Sequence, residues 1–293
     1  MPDLSPTARA VTERAHELIG ATLDGLRNDL LIASGDVRVE AKADGTPVTD
    51  ADRAVDDRLG DAIAATFPDH GVLSEERETR SPDTEWTWIV DPIDGTSNFT
   101  CQLPYWCVSV ALALDGEPVL GVIDAPVLGR RYSSIVGGGA WLEGRASSLD
   151  GREQRRTRHE LRVRAPVDWR DGRYGHVPVM MTTSTARYAR GAGLRLNPRV
   201  MGSTALDLAV VAQGVAAASV AVTPKVWDIA AGALLVREAG GAVVTIGSDP
   251  LLPITRGVEH ANRAAITAAG PDEAYVRGLA DALLESRAAG STR

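Results

Sequence analysis

Residues 91–98 read DPIDGTSN and follow the apolar run Trp88-Ile89-Val90. Two aspartates, Asp91 and Asp94, therefore close a segment with the composition of a buried strand. A buried carboxylate is costly unless positive charge or hydrogen-bond donors compensate it, so the pattern calls for a cation. Other acids occupy comparable places, at the ends of short apolar runs or the starts of helices: Asp50, Glu75 and Asp228. The five histidines, at 16, 70, 159, 176 and 260, are scattered and make no ligand pair. An all-oxygen donor set suits Mg2+ or Mn2+ and points away from zinc or iron. Pro92 keeps a helix from running through the first acid. Gly95 permits a tight turn, and the amides of Gly95 and Thr96 then open a helix start, where oxyanions bind. Carboxylates for a divalent cation beside amides for an oxyanion are the parts of metal-assisted phosphate chemistry. Taken alone, the stretch also has a plainer reading, in which Asp91 and Pro92 only cap a turn.

The chain that must position these groups has 293 residues, 44% hydrophobic and 24% charged, enough for one large or two modest domains with a real core. A net charge of −8 argues against a general nucleic-acid partner. Cys101 and Cys107 are too few for a disulfide framework and lack zinc spacing. The first residues contain no apolar signal segment. The apolar stretch 205–222 holds Asp207, Gln213 and Gly214 and divides into a helix and a strand, so no membrane span is expected and the cytoplasm follows as the expected location. Two lysines, Lys42 and Lys225, stand against 29 arginines, which reads as the coding bias of a GC-rich bacterium.

Periodicity places a long amphipathic helix over residues 5–33 and a short strand over 37–41. Thr49 reads as the N-cap of a helix reaching residue 67, with Asp50 and Asp52 in its first turn. Strands follow at 71–73 and 86–90. Residues 108–114, an Asp115-Gly116 turn, 118–123 and 131–136 read as an antiparallel meander. The arginine-rich segment 143–176 reads as a strand or two with long loops, at a junction. Beyond it strands (177–182, 199–201, 216–222, 242–246, 264–268) alternate with helices (185–192, 203–212, 227–239, 271–286), which is α/β layering. The expected organisation is an N-terminal α+β half, 1–142, carrying the metal motifs, and a C-terminal α/β half, 143–293. The two are expected to form one compact unit with the active site between them.

Three ordered motifs, SEE at 74–76, DPIDGTSNF at 91–99 and WDIAAG at 227–232, resemble the inositol monophosphatase family. These are Mg2+-dependent, lithium-sensitive phosphatases, among them bacterial histidinol-phosphatases, 3′-phosphoadenosine-phosphate phosphatases and fructose-bisphosphatases. The resemblance runs from about Lys42 to Gly241, and KADGTPVTDAD at 42–52 looks most like the histidinol-phosphatase branch. It implies alternating α-β-α-β-α layers and a homodimer. It also implies two to three Mg2+ ions per site, with Mn2+ as a substitute. Glu75, Asp91 and the Ile93 carbonyl would hold the first metal. Asp91, Asp94 and Asp228 would hold the second, with a third, weaker one near Glu75. Thr96 and Asp50 would orient and deprotonate the attacking water, and the amides of Gly95 and Thr96 would receive the phosphate. Glu76 is assigned a supporting place outside the ligands.

Substrate contacts are less determined. By the resemblance Gly202, Ser203 and Thr204 would touch the non-phosphate part of the substrate, and Ser203 reads equally well as a simple N-cap. Many inositol and histidinol phosphatases carry a glutamate seven residues before the WD aspartate. Here that position is Ala221, which cannot accept a hydrogen bond from a hydroxyl or ammonium group. Lys225 either supplies a positive group to the substrate or is a solvated loop residue, and the arginines of 143–176 stand under the same two readings. The expected activity is hydrolysis of a small-molecule phosphate by water. The substrate would be an inositol phosphate, histidinol phosphate, or a nucleotide or specialised sugar phosphate. A non-catalytic regulatory homologue is the competing class.

Overall fold

The computed structural model describes residues 4–35, 39–41, 47–77, 84–147, 154–166, 177–191, 196–222, 224–246, 252–254 and 266–290. Its elements, in chain order, begin with α1 (Pro6–Ala33), β1 (Val39–Ala41), β2 (Pro47–Thr49), α2 (Asp50–Thr66), β3 (Gly71–Ser74) and β4 (Trp86–Asp94). Next come α3 (Thr96–Thr100), β5 (Cys107–Leu114), β6 (Glu117–Ala125), β7 (Arg130–Ile135), β8 (Ala140–Ser147) and β9 (Gln154–Glu160). The remainder are β10 (Pro178–Met181), α4 (Thr183–Gly191), β11 (Asn197–Arg199), α5 (Thr204–Ala212), β12 (Ala218–Val222), α6 (Val226–Glu238), β13 (Ala242–Ile246), β14 (Ile266–Gly270) and α7 (Glu273–Gly290).

Strands β3 to β9 form a seven-stranded sheet in sequence order, parallel between β3 and β4 and antiparallel elsewhere. The β5–β6 hairpin closes at Asp115-Gly116, both with positive φ (48° and 83°), the pair a type I′ turn demands. The arginine-rich segment contributes β8 and β9, a hairpin that extends this sheet across position 142; residues 148–153 and 167–176 lie outside the described residues. A second sheet has the order β11-β10-β12-β14-β13. The strand expected at 264–268 is observed from Ile266, positions 264 and 265 lying outside the described residues, as do 37–38 and the KADG stretch with Lys42.

Helices α1 and α2 cover one face of the large sheet, where Ile19, Leu23, Leu59 and Ile63 meet Trp88, Val110 and Leu120. Its other face packs on α5 and α6, through Ile89, Ala111 and Ile123 against Leu208, Trp227 and Ala231. These two helices are apolar on nearly every side, as a helix enclosed by protein must be. They fill the space between the two sheets, and α4 and α7 close the far side of the second sheet. The layers are α-β-α-β-α. The central helices approach closely because glycines line the contacts: a Cβ on Gly232 would lie 2.6 Å from Leu208, and one on Gly121 would lie 2.7 Å from the Ala231 carbonyl. The apolar run 205–222 is thus the central-layer helix α5 followed by β12 of the second sheet. Among the described residues no helix is long and apolar enough to cross a membrane.

Candidate active site

Strand β4 continues through both aspartates of the DPID sequence, beyond the expected end at residue 90. It pairs Asp91 with Ser109 and Asp94 with Cys107, and a register shift lies between them. The irregularity re-aims the strand end so that both acids stay buried on the interior side. Gly95 follows with φ of 96° and opens α3. A Cβ there would lie 3.1 Å from the Tyr105 carbonyl and 3.2 Å from that of Gly202, so chain crowding as well as φ reserves the position for glycine.

Around this strand end three helices present their N-termini. The first turn of α2 brings Asp52, the start of α5 brings Ser203 to Ala205, and the first turn of α6 brings Asp228. Glu75 follows β3, and its N–H donates to the Val90 carbonyl at 3.2 Å. Both oxygens of Asp94 accept: Oδ2 from the Ser203 hydroxyl and the Ala205 N–H, each at 2.6 Å, and Oδ1 from the Thr204 N–H at 3.3 Å. Asp228 Oδ2 accepts from the Lys225 N–H at 2.8 Å. The Thr96 hydroxyl donates to the Ile93 carbonyl at 3.0 Å. Asp91 Oδ1 is buried and has no hydrogen-bond partner among the described residues.

The electrostatics follow from that crowding. Burial drives the Asp91 carboxyl well above the ordinary carboxylate range, and Glu75, Asp94, Asp228 and Asp52 push it further. Asp94 is raised to about 6, again by burial first, against the lowering effect of its Ser203, Ala205 and Thr204 donors. Asp228 is raised well above its usual range by burial and by Asp94. Asp52 is raised to about 6 by burial, with Glu76 and Glu75 adding to it. Asp91 thus has four acids as electrostatic neighbours, and Glu75 acts on Asp52, Asp91, Asp94 and Asp228 alike. Among the described residues no three His, Cys, Asp or Glu side chains stand in a finished metal-ligand arrangement. Asp94 and Asp228 keep oxygens on backbone donors instead.

A match to the model of the inositol monophosphatase family covers residues 3–277. The chain belongs to the inositol monophosphatase family. Among relatives, it is 36% identical over 252 residues to the histidinol-phosphatase of Mycobacterium tuberculosis, covering 82% of this chain and 86% of that one. It is also 36% identical over 208 residues to the inositol-1-monophosphatase of Mesorhizobium japonicum, covering 71% and 75%. The crystal structure of extragenic suppressor protein suhB from Bartonella henselae superposes with a TM-score of 0.73 at 27% identity, covering 92% of this chain and 98% of that one.

Seen as an inositol monophosphatase fold, the site departs from the sequence expectation at one acid. Asp50 does not join the cluster. Its side chain is 71% exposed and pairs with Arg53 at 3.2 Å, and Arg53 also bonds Glu40. The acid of α2 that turns inward is Asp52, 1% exposed. Its Oδ2 accepts the Thr49 N–H at 2.8 Å and the Thr49 hydroxyl at 2.5 Å, while its own N–H returns to Thr49 Oγ1. That reciprocal capping box fixes which face of the first turn carries it. The T-x-x-acid spacing from Thr49 to Asp52 was the sequence signal for it.

Asn98 is a second residue that sequence reasoning missed. Its Nδ2 donates to the carbonyls of Tyr105 at 2.6 Å and Met201 at 2.7 Å, tying α3 to the turn before α5. Gly202, with φ of 87°, passes so close that a Cβ would lie 2.9 Å from Asn98 Nδ2. Ser203 is the N-cap of α5 and is buried, with its hydroxyl committed to Asp94. Gly202 is exposed, Thr204 and Lys225 are half-buried, and Ala221 is 2% exposed in mid-strand opposite Thr267.

Proposed function

We propose that this protein is a Mg2+-dependent phosphomonoesterase that hydrolyses a small-molecule phosphate ester by direct attack of water. The observation that carries the reading is that buried Asp91, whose Oδ1 lacks a partner among the described residues, has Glu75, Asp94, Asp228 and Asp52 as its like-charge neighbours. Such a group cannot ionise together unless a cation joins it, and an all-oxygen donor set selects a hard divalent ion. The residues therefore fit Mg2+, with Mn2+ as a substitute. Glu75, Asp91, the Ile93 carbonyl, Asp94 and Asp228 are the groups that would hold it. Bound there, the cation supplies positive charge that acidifies a water and neutralises the phosphoryl oxygens and the leaving alkoxide.

The chain's own residues do the rest. Asp52, raised to about 6, suits a base that takes a proton near neutral pH. The Thr96 hydroxyl, donating to Ile93, keeps lone pairs to orient the same water. The amides of Gly95 and Thr96 open a helix start without intrahelical acceptors and would receive the phosphate. Gly202, Thr204 and Lys225 would meet the rest of the substrate, while Ser203 serves by holding Asp94. The relative named histidinol-phosphatase favours an amino-alcohol phosphate, and the one named inositol-1-monophosphatase favours a cyclitol phosphate. Phosphate release from histidinol phosphate and inositol 1-phosphate, each with Mg2+ and with EDTA, tests the reading. Release that depends on Mg2+ is expected from at least one ester of a broader panel. Metal-independent release, or none across the panel, would overturn the proposal and leave a regulatory homologue.

A further inference from the structure

Glu75 follows β3 in a bend, outside any helix or strand. A carboxylate facing four others is driven outward by like charge, so something must hold its backbone in place. On the sheet side its N–H bonds to Val90. On the helix side the neighbouring residues converge on one buried carboxylate, Asp56 of α2, one turn beyond Asp52. The Ser74 hydroxyl donates to Asp56 Oδ1 at 2.5 Å, and Arg77 Nε donates to Asp56 Oδ2 at 2.8 Å. Arg77 Nη2 reaches the Asp56 carbonyl at 3.2 Å and Asp57 Oδ1 at 2.9 Å. The residues immediately before and two after Glu75 are thus clamped to the same side chain.

The clamp has a seat. A Cβ on Gly60 would lie 2.5 Å from Arg77 Nη1, 2.7 Å from Cζ and 2.9 Å from Nη2, so the guanidinium lies flat on the helix backbone there. Gly60 stands within the 17-residue α2. Glycine weakens a helix interior by about 1 kcal/mol relative to alanine, and the close guanidinium explains its presence. We propose that Asp56, Ser74, Arg77 and Gly60 form a latch that sets the position of Glu75, making Arg77 and Gly60 positioning residues for the cation site. The proposal rests on the reading of Glu75 as a Mg2+ ligand. Arg77 also neutralises Asp56, which keeps that acid out of the cluster facing the cation.

The test measures Mg2+ binding by calorimetry on the full chain. Gly60→Ala displaces the guanidinium from its seat while Arg77 keeps its charge, and Arg77→Ala removes it. Both are expected to weaken Mg2+ about five- to tenfold, with Arg77→Lys in between because an ammonium cannot make the fork. At saturating Mg2+, kcat should return to within about twofold of wild type. The metal-free melting temperature should fall less in Gly60→Ala than in Arg77→Ala, since alanine favours the helix while both take the guanidinium from buried Asp56. Wild-type Mg2+ affinity in either Gly60→Ala or Arg77→Ala would overturn the latch. So would weakened binding in Arg77→Ala that Arg77→Lys does not partly restore. Asp91→Asn separates the two proposals. If it abolishes binding while the latch variants bind normally, only the latch fails; if the wild type binds no Mg2+, the cation site fails with it.

Discussion

Replacing Asp50 and Asp52 by asparagine, one at a time, should give opposite outcomes. Asp50 is exposed and its partner Arg53 is also held by Glu40. Solvent screens an exposed pair of this kind so that it contributes little, and Asp50→Asn should leave kcat within about twofold and the melting temperature within about a degree or two. Asp52 is buried with its carboxyl raised from 3.8 to about 6. That displacement corresponds to about 3 kcal/mol against the ionised form at neutral pH. Asparagine removes the charge and loses roughly 1 kcal/mol of hydrogen bonding to Thr49. The metal-free Asp52→Asn protein should therefore be more stable by about 2 kcal/mol, or roughly 5 °C. Its kcat should fall by about 10²–10⁴-fold, the usual cost of removing a positioned base. Thermal melts in EDTA and phosphate release at saturating Mg2+ read the two effects separately. Comparable loss of turnover in Asp50→Asn, or more than about a tenth of wild-type kcat in Asp52→Asn, would refute the assignment.

Asp94→Asn should abolish turnover while the fold persists, because it removes a charged group proposed to hold the cation and weakens the acceptor of Ser203, Thr204 and Ala205; phosphate release and a circular dichroism spectrum check both halves. Thr96→Ala should lower kcat far more than it raises KM, and the double variant with Asp52→Asn should be little worse than either single, since both are proposed to act on one water. Carboxyls raised in the folded state stabilise it fully below their ordinary pKa near 4 and lose that contribution as pH rises through about 6. The metal-free protein should thus gain from Asp52→Asn at pH 7 and not at pH 4, with Mg2+ stabilising the wild type increasingly above pH 6, as melts across that range will show. Ala221→Glu should lower the melting temperature and improve neither histidinol phosphate nor inositol phosphate turnover, because the position is 2% exposed and packed beside Thr267; a gain in either specificity constant would place it in the substrate pocket.

The layered fold was legible because its signals are local. The 3.6-residue pattern of α1, the Thr49 cap and the Asp115-Gly116 turn each declare themselves within a few residues. The acids of the DPID stretch were legible for the same reason, as charges where burial was expected. The choice between Asp50 and Asp52 was harder, since both lie in one turn and only the reciprocal bond to Thr49 sorts them. Asn98, Gly60 and Arg77 carried no sequence signal at all. Asn98 looks like a turn residue until Met201 arrives beside it, and Gly60 looks like a weak point in a helix until Arg77 lies on it. Their meaning is tertiary, and no window of sequence contains it.

The bonds that complete the acid cluster join distant parts of the chain. Asp94 meets Ser203 across 109 positions and Ala205 across 111, and Asn98 meets Met201 across 103. Domains emerge from the ribosome at about 5–20 residues per second, so the early acids leave it several seconds before α5 and α6. During that interval the large sheet lacks the helical layer that covers one of its faces, and the β4 acids remain in water, where they ionise independently. Long-range closure of this kind slows folding. A stalled nascent chain ending before Ser203 should consequently present an unpartnered apolar sheet face, the surface that chaperones hold, and no tight cation site.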